Sequence, residues 1–190
     1  MSILDIFKKK KEAINKPIKS KEPISKTVSK KIDDTIYDKI DALDIINFSN
    51  GNIVFFNKNY IDQAQMGYRI NPKTQQENSR WVSDDYIVIG YDSTAGCGHD
   101  PIIIDTKDPD YPVYWLLTSS SNWENPEKIA NSLDEFINNY KLLYDYKDKL
   151  VSDSLTNEDY NNLIQKISMT TDREHLRWWI SLLRSATMSK

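Results

Sequence analysis

The chain is poor in the residues on which many catalytic and cofactor sites depend. It has one cysteine, two histidines and five glycines among its 190 residues. A single cysteine excludes an intramolecular disulfide and fits a reducing compartment. So few glycines give little sign of the loops that cradle phosphate groups. We therefore expect a cytoplasmic protein, and we predict no cofactor and no metal ion.

Long apolar runs are missing as well. Ile53–Phe56 and Ile102–Ile104 are of strand length, whereas a membrane-spanning helix needs about 20 apolar residues. Near the start of the chain the lysines follow a short apolar stretch, which is the wrong order for a secretory signal. These patterns predict a protein that does not interact with a membrane.

Charge is distributed unevenly along the chain. The net charge is −3, but residues 1–31 contain ten lysines and three acidic residues, which gives that segment +7 and residues 32–190 −10. Residues 1–31 also have few large apolar side chains, so we predict a flexible basic arm there and a single domain over residues 32–190. An acidic domain repels nucleic acid and attracts basic protein surfaces.

Hydrophobic periodicity predicts an α+β fold. Apolar residues recur at helical spacing from Ile32 to Leu43, which predicts an N-terminal helix. The β-branched runs in Tyr86–Ile89 and Ile102–Ile104 are typical of central strands, and Pro112 introduces a further strand where its missing N–H costs least. Short turns between these runs indicate a mostly antiparallel sheet.

The C-terminal third predicts about three helices. Apolar stripes at helical spacing run from Ile129 to Tyr144, from Tyr160 to Ile167 and from Leu176 to Leu183. The second stripe follows Thr156-Asn-Glu-Asp159, a variant of the capping box. In the third, at least one ring of Trp178-Trp179 must face the core. Upstream, a polar segment between Gly67–Ile70 and Trp81-Val82 predicts a hairpin with a long connection.

The order of short motifs between Trp81 and Phe136 resembles the SUKH superfamily. The motifs are a strand that runs into Gly90-Tyr91-Asp92, a strand that ends at Asp105, Pro112-Val113-Tyr114, and a helix that ends in Glu135-Phe136. That superfamily joins Smi/Knr-type regulators of cell-wall synthesis to bacterial immunity proteins that neutralise toxins. The resemblance implies a protein that binds another protein, often a nuclease-type toxin, and catalyses no reaction.

Carboxylates and aromatic residues near the strand ends are the candidate partner-binding site. Aromatic side chains supply interface hot spots, and carboxylates meet the basic residues of a partner. The predicted set is Tyr91, Asp92, Asp100, Asp105, Trp115, Trp123 and Glu124. We expect the partner to be a basic toxin domain and the chain to be a monomer or a weak homodimer.

Other functions are open at this point. Cys97 and His99 could form a nucleophile and base, or bind zinc with His175, and Gly96-x-Gly98 could approach phosphate. Each pattern is weak, and a surface turn built of small residues fits the same loop better. Two alternative functions therefore stand beside immunity: a regulatory adaptor in cell-wall or stress signalling that uses the basic arm, and a small hydrolase that uses these residues or paired carboxylates.

Overall fold

The computed structural model describes residues 32–185, apart from Val82 and residues 95–97 and 121–122. The predicted basic arm and Cys97 therefore lie outside the described residues. The helices are α1 (Asp34–Asp41), α2 (Ile61–Ala64), α3 (Leu133–Tyr144), α4 (Lys147–Val151), α5 (Asn157–Ser168) and α6 (Leu176–Ser185). The strands are β1 (Ile46–Phe48), β2 (Gly51–Phe55), β3 (Tyr86–Asp92), β4 (Asp100–Asp105), β5 (Val113–Trp115) and β6 (Glu127–Ala130).

The six strands form one antiparallel sheet in the order β1 to β6. One helix precedes the sheet and the longer helices follow it, so the predicted α+β fold is confirmed. Helices α1, α3 and α5 begin at residues whose side chains cap the first turn. Ser132 accepts a hydrogen bond from the backbone of Glu135, and Thr156 and Asp159 form the predicted capping box.

The main core lies between one face of the sheet, here called the inner face, and the helices. Alternate strand residues such as Ile87, Ile102 and Ile104 are fully buried there against Phe136 and Trp179. The opposite face, here called the outer face, carries a smaller buried cluster of Val88, Ile103, Leu116 and Trp123. The two clusters follow from the two-residue period of strands, which sends successive side chains to opposite faces.

Two sequence predictions about elements were wrong. Ile129 was placed at the start of a helical stripe, but it lies in strand β6, and α3 begins only at Leu133. The segment between α2 and β3 forms no hairpin of two strands among its described residues. Ile70 makes only isolated bridges to Met66 and Glu77, and Arg69 holds the segment through Glu77 and Asp84.

Strand β3 is longer than its neighbour β2, and Gly90 and Gln65 accommodate the region where β2 ends. Gly90 lies so close to β2 that a Cβ atom would be 2.5 Å from the carbonyl oxygen of Val54. Beyond the last strand residue of β2, the buried side chain of Gln65 pairs with both the N–H and the C=O of Val88, at 3.1 and 2.9 Å. The Gln65 amide thus replaces a missing strand, which keeps buried backbone groups hydrogen-bonded.

Candidate functional site

The seven predicted partner-binding residues do not form one surface. Asp92, Asp100 and Trp115 lie on the inner face, since they share it with Ile102 or pack against α6. Tyr91, Asp105 and Trp123 lie on the outer face. Glu124 is exposed in the connection between β5 and β6.

Asp92 and Asp100 are opposite each other on β3 and β4 and are shielded from solvent. Asp92 accepts hydrogen bonds from the backbone and hydroxyl of Thr94, at 2.8 and 2.7 Å, and from the Trp178 indole at 3.2 Å. Asp100 binds the backbone and hydroxyl of Thr118 in the same way, at 2.8 and 2.6 Å. Burial raises the pKa of Asp92, although its hydrogen bonds act in the opposite direction. Both carboxylates therefore lie beneath the outer surface of the protein, where Asp92 is 2% and Asp100 0% exposed.

On the outer face, Tyr91 and Trp123 are held by neighbouring side chains. The Tyr91 ring contacts His99 edge to face, with ring centroids 4.4 Å apart. Trp123 is buried, and its indole donates to the carbonyl of Thr118 at 3.3 Å. The guanidinium of Arg80 lies 4.1 Å from the Trp123 ring centre. A partner could therefore reach Tyr91 but only the edge of Trp123.

A second group of outer-face residues remains open to solvent at the other end of the sheet. Tyr86 and Tyr114 are half-buried neighbours with ring centroids 5.3 Å apart. Asp105 is directly opposite Tyr86, and Asp108 follows in the exposed β4–β5 loop. We call Tyr86, Asp105, Asp108 and Tyr114 the tyrosine–aspartate patch.

Carboxylates surround the two tyrosines of the patch, and the ammonium group of Lys128 lies 5.8 Å from the Tyr114 ring centre. Burial, together with the neighbouring Tyr86 and Asp105, raises the pKa of Tyr114 to about 12. Burial and then Asp105 raise the pKa of Tyr86. Both phenols therefore stay neutral hydrogen-bond donors beside two carboxylates. Such a surface offers flat aromatic area and negative charge together, which suits a basic protein partner.

The geometry does not assemble the paired-carboxylate alternative among the described residues, and Cys97 of the thiol alternative lies outside them. Asp92 and Asp105 lie at opposite ends of the sheet, about 17 Å apart along β4 at the rise of a strand, whereas glycosidase carboxylates are about 5–10 Å apart. The exposed His99 packs on Tyr91, and His175 is buried on a 3₁₀ turn before α6. Within the described part of the chain, no three ligating side chains gather where they could hold a metal ion.

Comparison with protein-family models, with curated proteins and with solved structures finds no match for this chain. Among the described residues, no helix has the length and apolar character needed to cross a bilayer.

The sequence prediction left out Tyr86 and chose Trp115 over its neighbour Tyr114. The signal was present, because Trp115 is a neighbour of Tyr114 and only one of the two can face the core. The structure sends Trp115 inward and Tyr114 outward. Which of the two points outward depends on the register with β4, in which Tyr114 is opposite the outer-face residue Ile103.

Proposed function

We propose that the chain is a non-catalytic protein-binding module of the SUKH type, an immunity protein that binds and neutralises a basic, nuclease-type toxin. The observation that carries this proposal is the tyrosine–aspartate patch on the face of the sheet that the helices leave open. The motif order from Trp81 to Phe136 and the net charge of −10 over residues 32–190 support the same function.

The patch has the composition expected of an interface centre. Tyrosines are enriched among interface hot spots because they contribute large contact area with little loss of conformational freedom. The carboxylates around them, half-buried Asp105 and exposed Asp108, attract a basic partner and accelerate association. Binding would neutralise the toxin by covering its basic active surface, so the immunity protein needs no chemistry of its own.

The first experiment tests whether the chain relieves toxicity. The tagged chain and its 32–190 version are used as baits in the source cells, and each captured polypeptide is then expressed alone and together with the chain. We expect a basic polypeptide that binds both baits, stops growth when expressed alone and is neutralised by co-expression. A partner set that is harmless and is lost with residues 1–31 would favour the regulatory adaptor instead.

The second experiment tests the patch itself. Tyr114→Ala should weaken binding by about 30-fold, the effect of losing a hot spot worth about 2 kcal/mol. The matched control is Tyr60→Ala, because Tyr60 is 57% exposed and lies outside the patch. Equal affinities for the two variants would place the interface elsewhere.

Substitution of the two carboxylates tests the contribution of charge to binding at the patch. Asp105 and Asp108 each accept a hydrogen bond from the backbone two residues later, so Asp105→Asn and Asp108→Asn together keep the turns and remove two charges. We expect slower association and a weaker dependence on salt. The exposed pair Asp145→Asn and Asp148→Asn, at the end of α3 and in α4, removes the same charge and should have a much smaller effect.

A further inference from the structure

A cavity of about 180 Å³ lies between the inner face of the sheet and α6. Its lining includes the side chains of Asp92, Trp115, Glu127, Arg177 and Trp178, which come from β3, β5, β6 and α6. The cavity is smaller than the roughly 300–1,000 Å³ typical of sites for drug-sized ligands. Its size therefore suits a single inserted side chain better than a metabolite.

Besides the Trp115 indole N–H, which also has no partner among the described residues, Glu127 is the group in this cavity that lacks a partner. It is half-buried, its Oε1 atom is shielded from solvent, and its carboxylate forms no hydrogen bond or ion pair with any described residue. A carboxylate removed from water without a compensating partner is unfavourable, so a cation that reached it would be bound favourably.

Asp92 adds a second carboxylate from the sheet. It is only 2% exposed, and its Oδ2 atom accepts one described hydrogen bond, from Trp178. A carboxylate has about four acceptor positions, so Asp92 retains acceptor capacity beyond its present bonds. The charges of Asp92 and Glu127 thus reinforce each other at one cavity.

The remaining lining groups fit an alkyl cation. Trp115 and Trp178 provide aromatic surface, which attracts cations through the ring faces and packs against a methylene stem. Arg177 also lines the cavity, but it is exposed on α6 and makes no ion pair within the described part of the chain. Water screens an exposed guanidinium more than it screens the buried carboxylates, so the cavity favours positive charge.

We propose that this cavity binds a basic side chain of the partner protein, with its ammonium or guanidinium group beside Glu127 and its alkyl stem against Trp115 and Trp178. The inference rests on the proposed function for the origin of that side chain. The charge and the size of the cavity come from this chain alone. The inserted residue would anchor the partner at a position separate from the tyrosine–aspartate patch.

The test uses small probes and the full chain, without any partner. Butylguanidinium and butylammonium are titrated into ¹⁵N-labelled protein, and the indole N–H signals are followed by NMR. We expect saturable shifts of the Trp115 and Trp178 signals and little change at Trp179, whose indole is bonded to the Ile129 carbonyl. Uncharged butylurea and anionic butyrate should shift them far less. Equal shifts with butylurea, shifts with butyrate alone or no shifts with either cation would overturn the proposal.

Variants identify the carboxylate responsible. Glu127→Gln keeps the shape of the side chain and should weaken cation binding at least tenfold, whereas the exposed Glu158→Gln in α5 removes the same charge and should leave it unchanged. Arg177→Gln should strengthen binding of the cationic probes, because it removes a competing cation from the cavity. Unchanged binding in Glu127→Gln would reject the site. This result is independent of the toxicity test, so either proposal can fail while the other stands.

Discussion

Trp178 and Trp179 allow a matched test of how α6 is attached to the sheet. The two residues are neighbours on α6, and both rings are buried. The Trp178 indole donates to the Asp92 carboxylate at 3.2 Å, and the Trp179 indole donates to the Ile129 carbonyl at 3.0 Å. Replacing either residue by Phe removes one donor and the same volume, but only Trp178→Phe removes a donor from a charged group.

The expected losses of stability can be worked from these contacts. The smaller ring leaves a void that costs about 1 kcal/mol in each variant. The bond to the carboxylate contributes about 1.5–3 kcal/mol and the bond to the carbonyl about 1 kcal/mol. At neutral pH, Trp178→Phe should therefore lower the free energy of unfolding by about 2.5–4 kcal/mol and Trp179→Phe by about 2 kcal/mol.

The pH dependence separates the two variants more sharply. Burial raises the folded-state pKa of Asp92 above 3.8, and the Trp178 bond limits that rise. The stability that Asp92 contributes is therefore fully present below pH 3.8, the ordinary pKa of an aspartate. It is lost as the pH rises through the higher folded-state pKa. Trp178→Phe raises that pKa further and deepens the loss. Its excess destabilisation over Trp179→Phe should appear at neutral pH and shrink as the pH falls towards 3.8.

Urea unfolding of both variants across this pH range measures the difference directly. In an Asp92→Asn background the pH-dependent part should disappear, because the titrating group is gone. A constant difference between the two Phe variants at every pH would refute the reasoning, since a bond to a carboxylate must weaken when that group is protonated.

Three further changes test the fold. Gly90→Ala brings a methyl group against β2 and should cost about 1–3 kcal/mol in the free energy of unfolding, which thermal unfolding measures; an unchanged melting temperature contradicts the close approach. Gln65→Met keeps the side-chain volume but leaves buried backbone groups of β3 unpaired, so it should lower the free energy of unfolding by about 2–5 kcal/mol. The control Gln63→Met, on the exposed side of α2, should change the free energy of unfolding by less than about 0.5 kcal/mol. Hydrogen bonds from Lys149 and Thr156 lower the pKa of Asp159 to about 2. The stability that Asp159 contributes is therefore present above pH 3.8 and is lost as the pH falls through about 2. The deficit of Asp159→Asn relative to the parent should therefore shrink over that acid range in denaturant titrations, and a pH-independent deficit would argue against the bonded pair.

Local patterns in the sequence were sufficient to predict most of the fold. Helical spacing, the capping box at Thr156 and the β-branched runs of β3 and β4 depend on neighbours along the chain, and the structure confirms all three. The error at Ile129 has a local cause too. Ile129 lies four residues before Leu133, which matches the helical period, and a four-residue strand is too short for its alternation to outweigh that match.

Residues that could form a binding surface can be recognised in the sequence, but which of them reach the surface depends on the tertiary structure. Acidic and aromatic side chains near the strand ends are visible in the sequence, but their face depends on strand register. A bulge between Val88 and Gly90 in β3 shifts the alternation by one residue, so Tyr91 points outward and Asp92 points inward towards Trp178. That bulge depends on pairing with β4 and on the close approach of β2 at Gly90, contacts between distant segments that sequence spacing does not reveal.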